Sequence, residues 1–312
     1  MSQLNNPNPN SKPKAEAEPA ADFYYDSIWS HLMQVDFRQT WISVGGINTR
    51  YVQAGSPAAP TLLLLHGIGG SWECFCANIG AYSKHFNVLA LDLVGAGFSD
   101  KPEQPVYEIS DYVRHVAAFL DALNVDQVSI FGVSMGGWIA TRFAHTYPKR
   151  VKHLILCAVS GLTRPPAANL PAINSLRNDR MAAIDDPTWE RVKNVFTDLI
   201  HDEKKRIPDF IKVRQTVYRL PEMKASMRRI LALTENDMFA KSAIADDEWR
   251  SIQTPTLLVG SNDDSEHFKR NITRAAALLP NATRVDMNGV AHWPQFEDWQ
   301  AFNALSLKFL LL

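Results

Sequence analysis

Cysteine is scarce. Cys74, Cys76 and Cys157 make an odd count with no zinc-like spacing, so neither a disulfide framework nor a cysteine metal site can organise the chain. On a helix, Cys74 and Cys76 would face different directions, and all three read as small buried hydrophobes. Long apolar runs are missing too: none approaches the ~18 residues that a membrane-spanning helix requires. A formal net charge of −1 leaves little for a partner held mainly by charge. Without a basic cluster interleaved with aromatics, nucleic acid is not an expected ligand. Cofactor signatures are absent as well, since Gly67-Ile68-Gly69-Gly70 lacks a third spaced glycine and neither G-x-x-x-x-G-K-[ST] nor H-E-x-x-H occurs. No cofactor and no metal are therefore expected. The opening stretch is rich in Asn, Pro, Ser, Lys and Glu and has no apolar segment. It reads as a disordered tail over 1–22 rather than a signal peptide, which is consistent with a cytoplasmic protein acting on a small molecule. Oligomeric state stays open.

What is present is a hydrophobic fraction of 46% over 312 residues, enough for one full core with an insertion. Apolar strand runs alternate with amphipathic helical patterns from Trp41 to Pro148, the signature of a mostly parallel sheet wrapped by helices. Strands near Trp41–Val44 and Asn48–Gln53 read as an antiparallel edge. Val113, Val116, Ala117 and Leu120 form one helical face after Ser110-Asp111, a plausible N-cap. Between the apolar run at 151–157 and the one at 256–259, about a hundred residues hold no convincing strand. Helical patterns appear instead around Trp189–Ile200, Pro208–Leu220 and Pro221–Leu233, with Pro165, Pro166 and Pro171 marking the entry. The expected organisation is a core over 23–160 and 251–312, with a helical cap over 161–250 inserted after the sixth strand.

Gly132-Val133-Ser134-Met135-Gly136 lies where the run Val128-Ser129-Ile130-Phe131 gives way to the helical pattern Met135, Ile139, Phe143. A serine on such a strand-turn-helix elbow is held in a strained conformation that lifts its hydroxyl above the sheet. Ser134 is the candidate nucleophile. A second buried run, Leu62–Leu65, leads into His66-Gly67-Ile68, a turn able to aim a backbone N–H at an oxyanion; with the N–H after the nucleophile, the predicted donors are Ile68 and Met135. His66 itself reads as a structural brace. Two further strand-to-helix loops supply the remaining chemistry. Gly260-Ser261-Asn262-Asp263-Asp264 offers two carboxylates, and Asn288-Gly289-Val290-Ala291-His292-Trp293 offers an imidazole. Asp263 is the expected acid, and Asp264, just before the helix carrying Phe268 and Ile272, is expected to cap that helix. His292 is the expected base.

In these motifs and in the chain order Ser, acid, His, residues from about Trp41 to Leu312 resemble the α/β-hydrolase superfamily: a mostly parallel eight-stranded sheet flanked by helices, with an inserted helical cap. Asp92-Leu93-Val94-Gly95-Ala96-Gly97-Phe98-Ser99 looks like the superfamily's D-x-x-G-x-G-x-S loop, which implies a structural role for Asp92. The serine at 134 steers away from epoxide hydrolases and haloalkane dehalogenases, which use an aspartate nucleophile. Ala291 stands where the superfamily usually has glycine.

Trp293 beside the histidine and Arg214 in the cap further resemble the meta-cleavage-product hydrolases, which split a carbon–carbon bond in vinylogous 1,5-diketone acids. The resemblance implies that both residues contact the substrate's carboxylate end. This chain departs from that pattern at Ile68-Gly69-Gly70, where a longer Gly-Pro-containing loop is usual, and at Val133 and Cys74, where a polar residue and an asparagine are usual. Hydrolysis of a dienoic diketone acid therefore ranks slightly ahead of a carboxylesterase activity on small or medium acyl esters. A slow or non-catalytic ligand receptor on the same fold is the third reading.

Overall fold

The computed structural model describes residues 27–103, 107–162 and 170–312. The tail expected over 1–22 and the entry prolines Pro165 and Pro166 lie outside the described residues. Eight strands form one sheet: β1 (Phe37–Val44), β2 (Ile47–Ala54), β3 (Thr61–Leu65), β4 (Asn87–Leu91), β5 (Val128–Val133), β6 (Val151–Cys157), β7 (Thr256–Ser261) and β8 (Ala282–Met287). Their order is β1-β2-β4-β3-β5-β6-β7-β8. The first two strands pair antiparallel as expected, Trp41 opposite Arg50, and β2 is antiparallel to β4. From β4 to β8 every pairing is parallel.

Each residue of β3, β4, β5 and β7 is buried. That follows from helices covering both faces of a parallel sheet, and it explains why these strands read as continuous apolar runs rather than alternations. Because the strands run together, their carboxyl ends open at one edge, where an open α/β sheet leaves a crevice. The turns carrying His66, Ser134, Asp264 and His292 all leave from that edge.

The helix expected after Ser110-Asp111 spans Ile109–Ala122 and starts earlier than predicted. Glu108 is its N-cap, and Asp111 reaches back to accept the Glu108 N–H at 2.9 Å. The elbow helix Met135–Thr146 stops before Pro148.

Between β6 and β7 the described residues form the helices Leu170–Asp185, Trp189–Asn194, Pro208–Tyr218, Met223–Ala232, Asn236–Ser242 and Asp246–Ser251. Pro171 falls in the first turn of the first of these. The helix predicted over Trp189–Ile200 ends at Asn194, where the chain breaks into turns. Leu162 and Ile244 form a lone parallel bridge, so the two ends of this helical insert are pinned together. It is fastened to the core by Trp138 Nε1 donating to Ser242 O at 3.2 Å, Arg142 to Glu248 at 2.6 Å, and Ser226 Oγ to Gly95 O at 2.6 Å. No helix of the described residues is long and apolar enough to cross a membrane.

Candidate active site

Ser134 has φ 58° and ψ −117°, a region that costs a non-glycine residue about 1–3 kcal/mol and is retained where the fold around it over-determines the backbone. Two backbone hydrogen bonds and two close approaches at glycine do so. Ser134 N donates to Cys157 O at 2.9 Å across to β6, and Trp138 N closes the first helical turn on Ser134 O at 3.1 Å. A Cβ at Gly136 would lie 2.0 Å from Leu65 O, and one at Gly132 would lie 2.4 Å from Gly136 O. Those two glycines are what allow β3, β5 and the helix to approach closely enough to form the elbow.

The loop after β3 runs alongside the serine. A Cβ on Gly67 would sit 3.1 Å from Ser134 Cβ and 3.5 Å from its Oγ. Ile68 follows on the cavity wall. Met135 is the first residue of its helix, so its N–H has no acceptor within the helix. The loop that carries Ile68 and the helix that begins at Met135 therefore meet at the Ser134 turn. His66 is the brace it was read as: Nδ1 bonds Gly67 O at 2.8 Å and Nε2 accepts Leu93 N–H at 3.0 Å, which fixes the Nδ1–H tautomer. Burial holds its pKa down at about 4, so it is neutral near pH 7.

Asp92 anchors the same loop from below. Its carboxylate accepts Trp72 N–H at 2.9 Å, Phe98 N–H at 2.8 Å and Arg50 Nη1 at 3.0 Å. The Arg50 guanidinium also pairs with Glu73 and lies over the Trp72 and Phe98 rings.

His292 Nδ1 lies 3.2 Å from Asp264 Oδ2, and both side chains are buried. Asp263, expected to fill that place, does not. It is exposed, and its Oδ2 accepts Gly289 N–H at 2.8 Å, tying the β7 loop to the β8 loop. The offset arises because β7 does not close at Gly260 but runs on to Ser261, paired with Met287 of β8. The loop therefore begins one residue later. Asp264 does not cap the following helix, Glu266–Leu278, whose N-cap is Ser265; its Oδ1 accepts only the Ser265 N–H, at 2.6 Å.

One cavity of about 520 Å³ joins these groups, within the range of small-molecule sites. Ser134, His292, Trp293 and Arg214 all line it. Arg214, on the helix Pro208–Tyr218, is 5% exposed. It lies over Phe196 and Tyr218 and has one long hydrogen bond, 3.5 Å to Tyr218 Oη. No carboxylate among the described residues forms an ion pair with it. Trp293 stands edge-on to Phe196 and Phe210, and its backbone N–H donates to Leu199 O at 3.0 Å, so the insert and the histidine loop share one aromatic seam.

Three residues here were not foreseen. Phe268 is half-buried, with its ring 4.3 Å from the His292 imidazole. Glu297 is buried, and its carboxylate accepts Ala291 N–H at 2.7 Å and His201 N–H at 2.6 Å, holding the residue before His292 to the insert. Burial raises its pKa. Arg180 is a second buried arginine on the cavity wall. The sequence pattern carried no signal for the last two, because charged residues are seldom inside.

Comparison with known proteins agrees with this architecture. The family described as the alpha/beta hydrolase fold matches residues 60–298. A 2-hydroxy-6-oxo-2,4-heptadienoate hydrolase of Pseudomonas putida is 26% identical over 86% of this chain and 95% of its own. A 2-hydroxy-6-oxononadienedioate/2-hydroxy-6-oxononatrienedioate hydrolase of Paraburkholderia phymatum is 28% identical over 80% and 86% respectively. Among solved structures, a meta-cleavage product hydrolase from Pseudomonas fluorescens superposes with TM-score 0.75 at 23% identity, over 87% of this chain and 97% of that one.

Proposed function

The chain belongs to the alpha/beta hydrolase fold family, and on that premise we propose that it is a serine hydrolase that cleaves a carbon–carbon bond in a small dienoic diketone acid. Ser134 is the nucleophile, His292 the base and Asp264 the acid. The helices between β6 and β7 serve as a cap over the site. With its Nδ1–H directed at Asp264, the imidazole presents a basic Nε2 to the cavity. Ser134 Oγ bonds the ketone carbon as its proton passes to Nε2, and the oxyanion is held by the N–H groups of Ile68 and Met135. Before this attack the 2-hydroxydienoate gives up its enol proton and takes one at the carbon beside the ketone, which becomes saturated. Collapse of the oxyanion then breaks the bond to that carbon, which departs with the electron pair, delocalised through the remaining alkene into the 2-oxo acid as a dienolate. His292 returns the proton to that fragment. Water, deprotonated by His292, then releases the acyl group as a carboxylic acid, so the sum is substrate plus water giving two acids.

The observation that carries this reading over an esterase is Arg214. A guanidinium buried in the cavity wall with no ion-pair partner among the described residues is costly unless an anion neutralises it, and a carboxylate can take it through two parallel hydrogen bonds. A neutral ester leaves that cost unmet. The relatives named above act on acids of this type by their names. The test is to incubate the protein with 2-hydroxy-6-oxohepta-2,4-dienoate and with short-chain nitrophenyl esters. Bleaching of the dienoate, abolished in Ser134→Ala, supports the reading. Ester turnover with an untouched dienoate overturns it in favour of a carboxylesterase.

A further inference from the structure

Arg180 lies on the helix Leu170–Asp185 and is 3% exposed, yet lines the same cavity as Ser134 and His292. Its contacts are thin. One Nη1–H reaches Val195 O at 3.5 Å, and the Nε–H is buried with no acceptor among the described residues. No carboxylate makes an ion pair with it there, and Asp179 and Asp198 act on it only from further away. Arg214 is near enough to repel it. Tyr218 links the two, being within electrostatic reach of Arg180 and in hydrogen-bond contact with Arg214.

A buried guanidinium normally satisfies its five donors and its charge together, because leaving either unmet costs several kcal/mol. Here two such groups face one cavity with no ion pair to either among the described residues, and Asp198 on the same wall is exposed and reaches Arg180 only through its longer-range field. Their mutual repulsion grows in a low-dielectric site, so a single carboxylate would neutralise half of the charge and leave the other half buried.

We infer that Arg180 and Arg214 together form a head-group pocket for a dianion, in which Arg180 is the specificity-determining contact for the second negative charge. This rests on the proposed function for the identity of the substrate, but the pocket itself does not. In a 2-hydroxydienoic acid the two charges are the carboxylate and the enol oxygen on the adjacent carbon. The enol proton leaves to solvent on binding, and no bond between heavy atoms changes. In a simple dicarboxylate the two charges are its carboxylates.

Two measurements test the inference. The first needs no turnover. Thermal denaturation of the wild-type protein and of Arg180→Gln is followed in malonate and in acetate at equal ionic strength, at pH 7.5. Malonate should raise the wild-type melting temperature well beyond acetate, and Arg180→Gln should cut the malonate shift to the acetate level while leaving the acetate shift unchanged. Without ligand, Arg180→Gln should melt no lower than wild type, since it removes an uncompensated buried charge; a Met substitution at 180 should behave alike. Equal shifts in the two anions for wild type, or an undiminished malonate shift in the variant, would overturn the pocket. So would a large ligand-free loss of stability in both variants, which would make Arg180 a structural residue.

The second measurement uses the Ser134→Ala protein, which binds without cleaving. Calorimetry compares 2-hydroxy-6-oxohepta-2,4-dienoate with its 2-methoxy ether, which has no enol proton. The free enol should bind with proton release, and adding Arg180→Gln should weaken it at least ~10-fold and abolish that release, while changing the ether less than ~3-fold. Equal weakening of both would remove the second-charge role. If wild type leaves the dienoate unchanged, the carbon–carbon reading fails, and the malonate result still decides the pocket.

Discussion

At the scale of single residues, one carboxylate decides how the imidazole is held. Asp264, not its neighbour, faces His292, so Asp264→Asn should lower kcat by on the order of 10²–10⁴ with an ordinary far-ultraviolet spectrum, because the amide favours the wrong imidazole tautomer. Asp263→Asn should stay within a few-fold of wild type and cost no more than about 1 kcal/mol of stability through its bond to Gly289 N–H. Steady-state kinetics and melting curves on the two variants give the comparison, and a larger kcat loss at 263 would reverse the assignment. Ser134 was legible because it follows an unmistakable apolar strand, and His292 because it comes after the last strand in the chain order Ser, acid, His. The acid was not, because its position depends on the Ser261 to Met287 pairing, a long-range contact that no local pattern reports. Arg180 and Glu297 were hidden for a different reason: a charged side chain in a helical segment reads as a solvated one until the packing is known.

At the scale of elements, the loop after β8 is where the insert and the core meet. Glu297, in the short helix Pro294–Glu297, accepts N–H groups from Ala291 on one side and from His201 and Asp202 on the other. Replacing it with Gln keeps the volume but turns one accepting oxygen into a donor that faces an N–H. Glu297→Gln should therefore cost about 1–3 kcal/mol of stability. It should also lower kcat several-fold at temperatures well below melting, because the residue next to His292 loses its tether, while fluorophosphonate labelling of Ser134 slows but persists. Unchanged kcat in a destabilised variant would confine Glu297 to folding. The sheet and its flanking helices were readable from alternation of apolar runs and helical faces. Within the insert, Pro208–Tyr218 and Met223–Ala232 were close to expectation, whereas Leu170–Asp185 was not seen, since its sequence has no sustained apolar stripe and its place is set by packing on other insert helices.

At the scale of the whole molecule, two buried histidines set a response to acid. His66 and His115 both have pKa values lowered by burial to about 4, against an ordinary 6.5, and His115 Nε2 bonds Thr49 Oγ1 at 2.8 Å. Above pH 6.5 both are neutral in either state and contribute no pH dependence. Between 6.5 and about 4 the unfolded chain takes up protons that the folded protein refuses. Each histidine then removes stability as pH falls, at about 1.4 kcal/mol per pH unit, and the loss levels off below the folded pKa. Urea titrations at pH 7 and pH 5 should show His115→Gln losing about 2 kcal/mol less than wild type between those two conditions. An identical loss would mean that His115 is protonated in the folded protein.

The same molecule-wide arrangement places an acid-seeking guanidinium and a strained serine on one cavity, and the claim that they serve one substrate can be measured directly. The decisive quantity is kcat/KM for 2-hydroxy-6-oxohepta-2,4-dienoate and for its methyl ester, which differ only in the carboxylate charge, in wild type and in Arg214→Lys. The account predicts that wild type prefers the acid and that Arg214→Lys lowers kcat/KM for the acid by roughly 1.5–3 kcal/mol in transition-state terms while sparing the ester. Equal losses on the two substrates, or a wild-type preference for the ester, would contradict it.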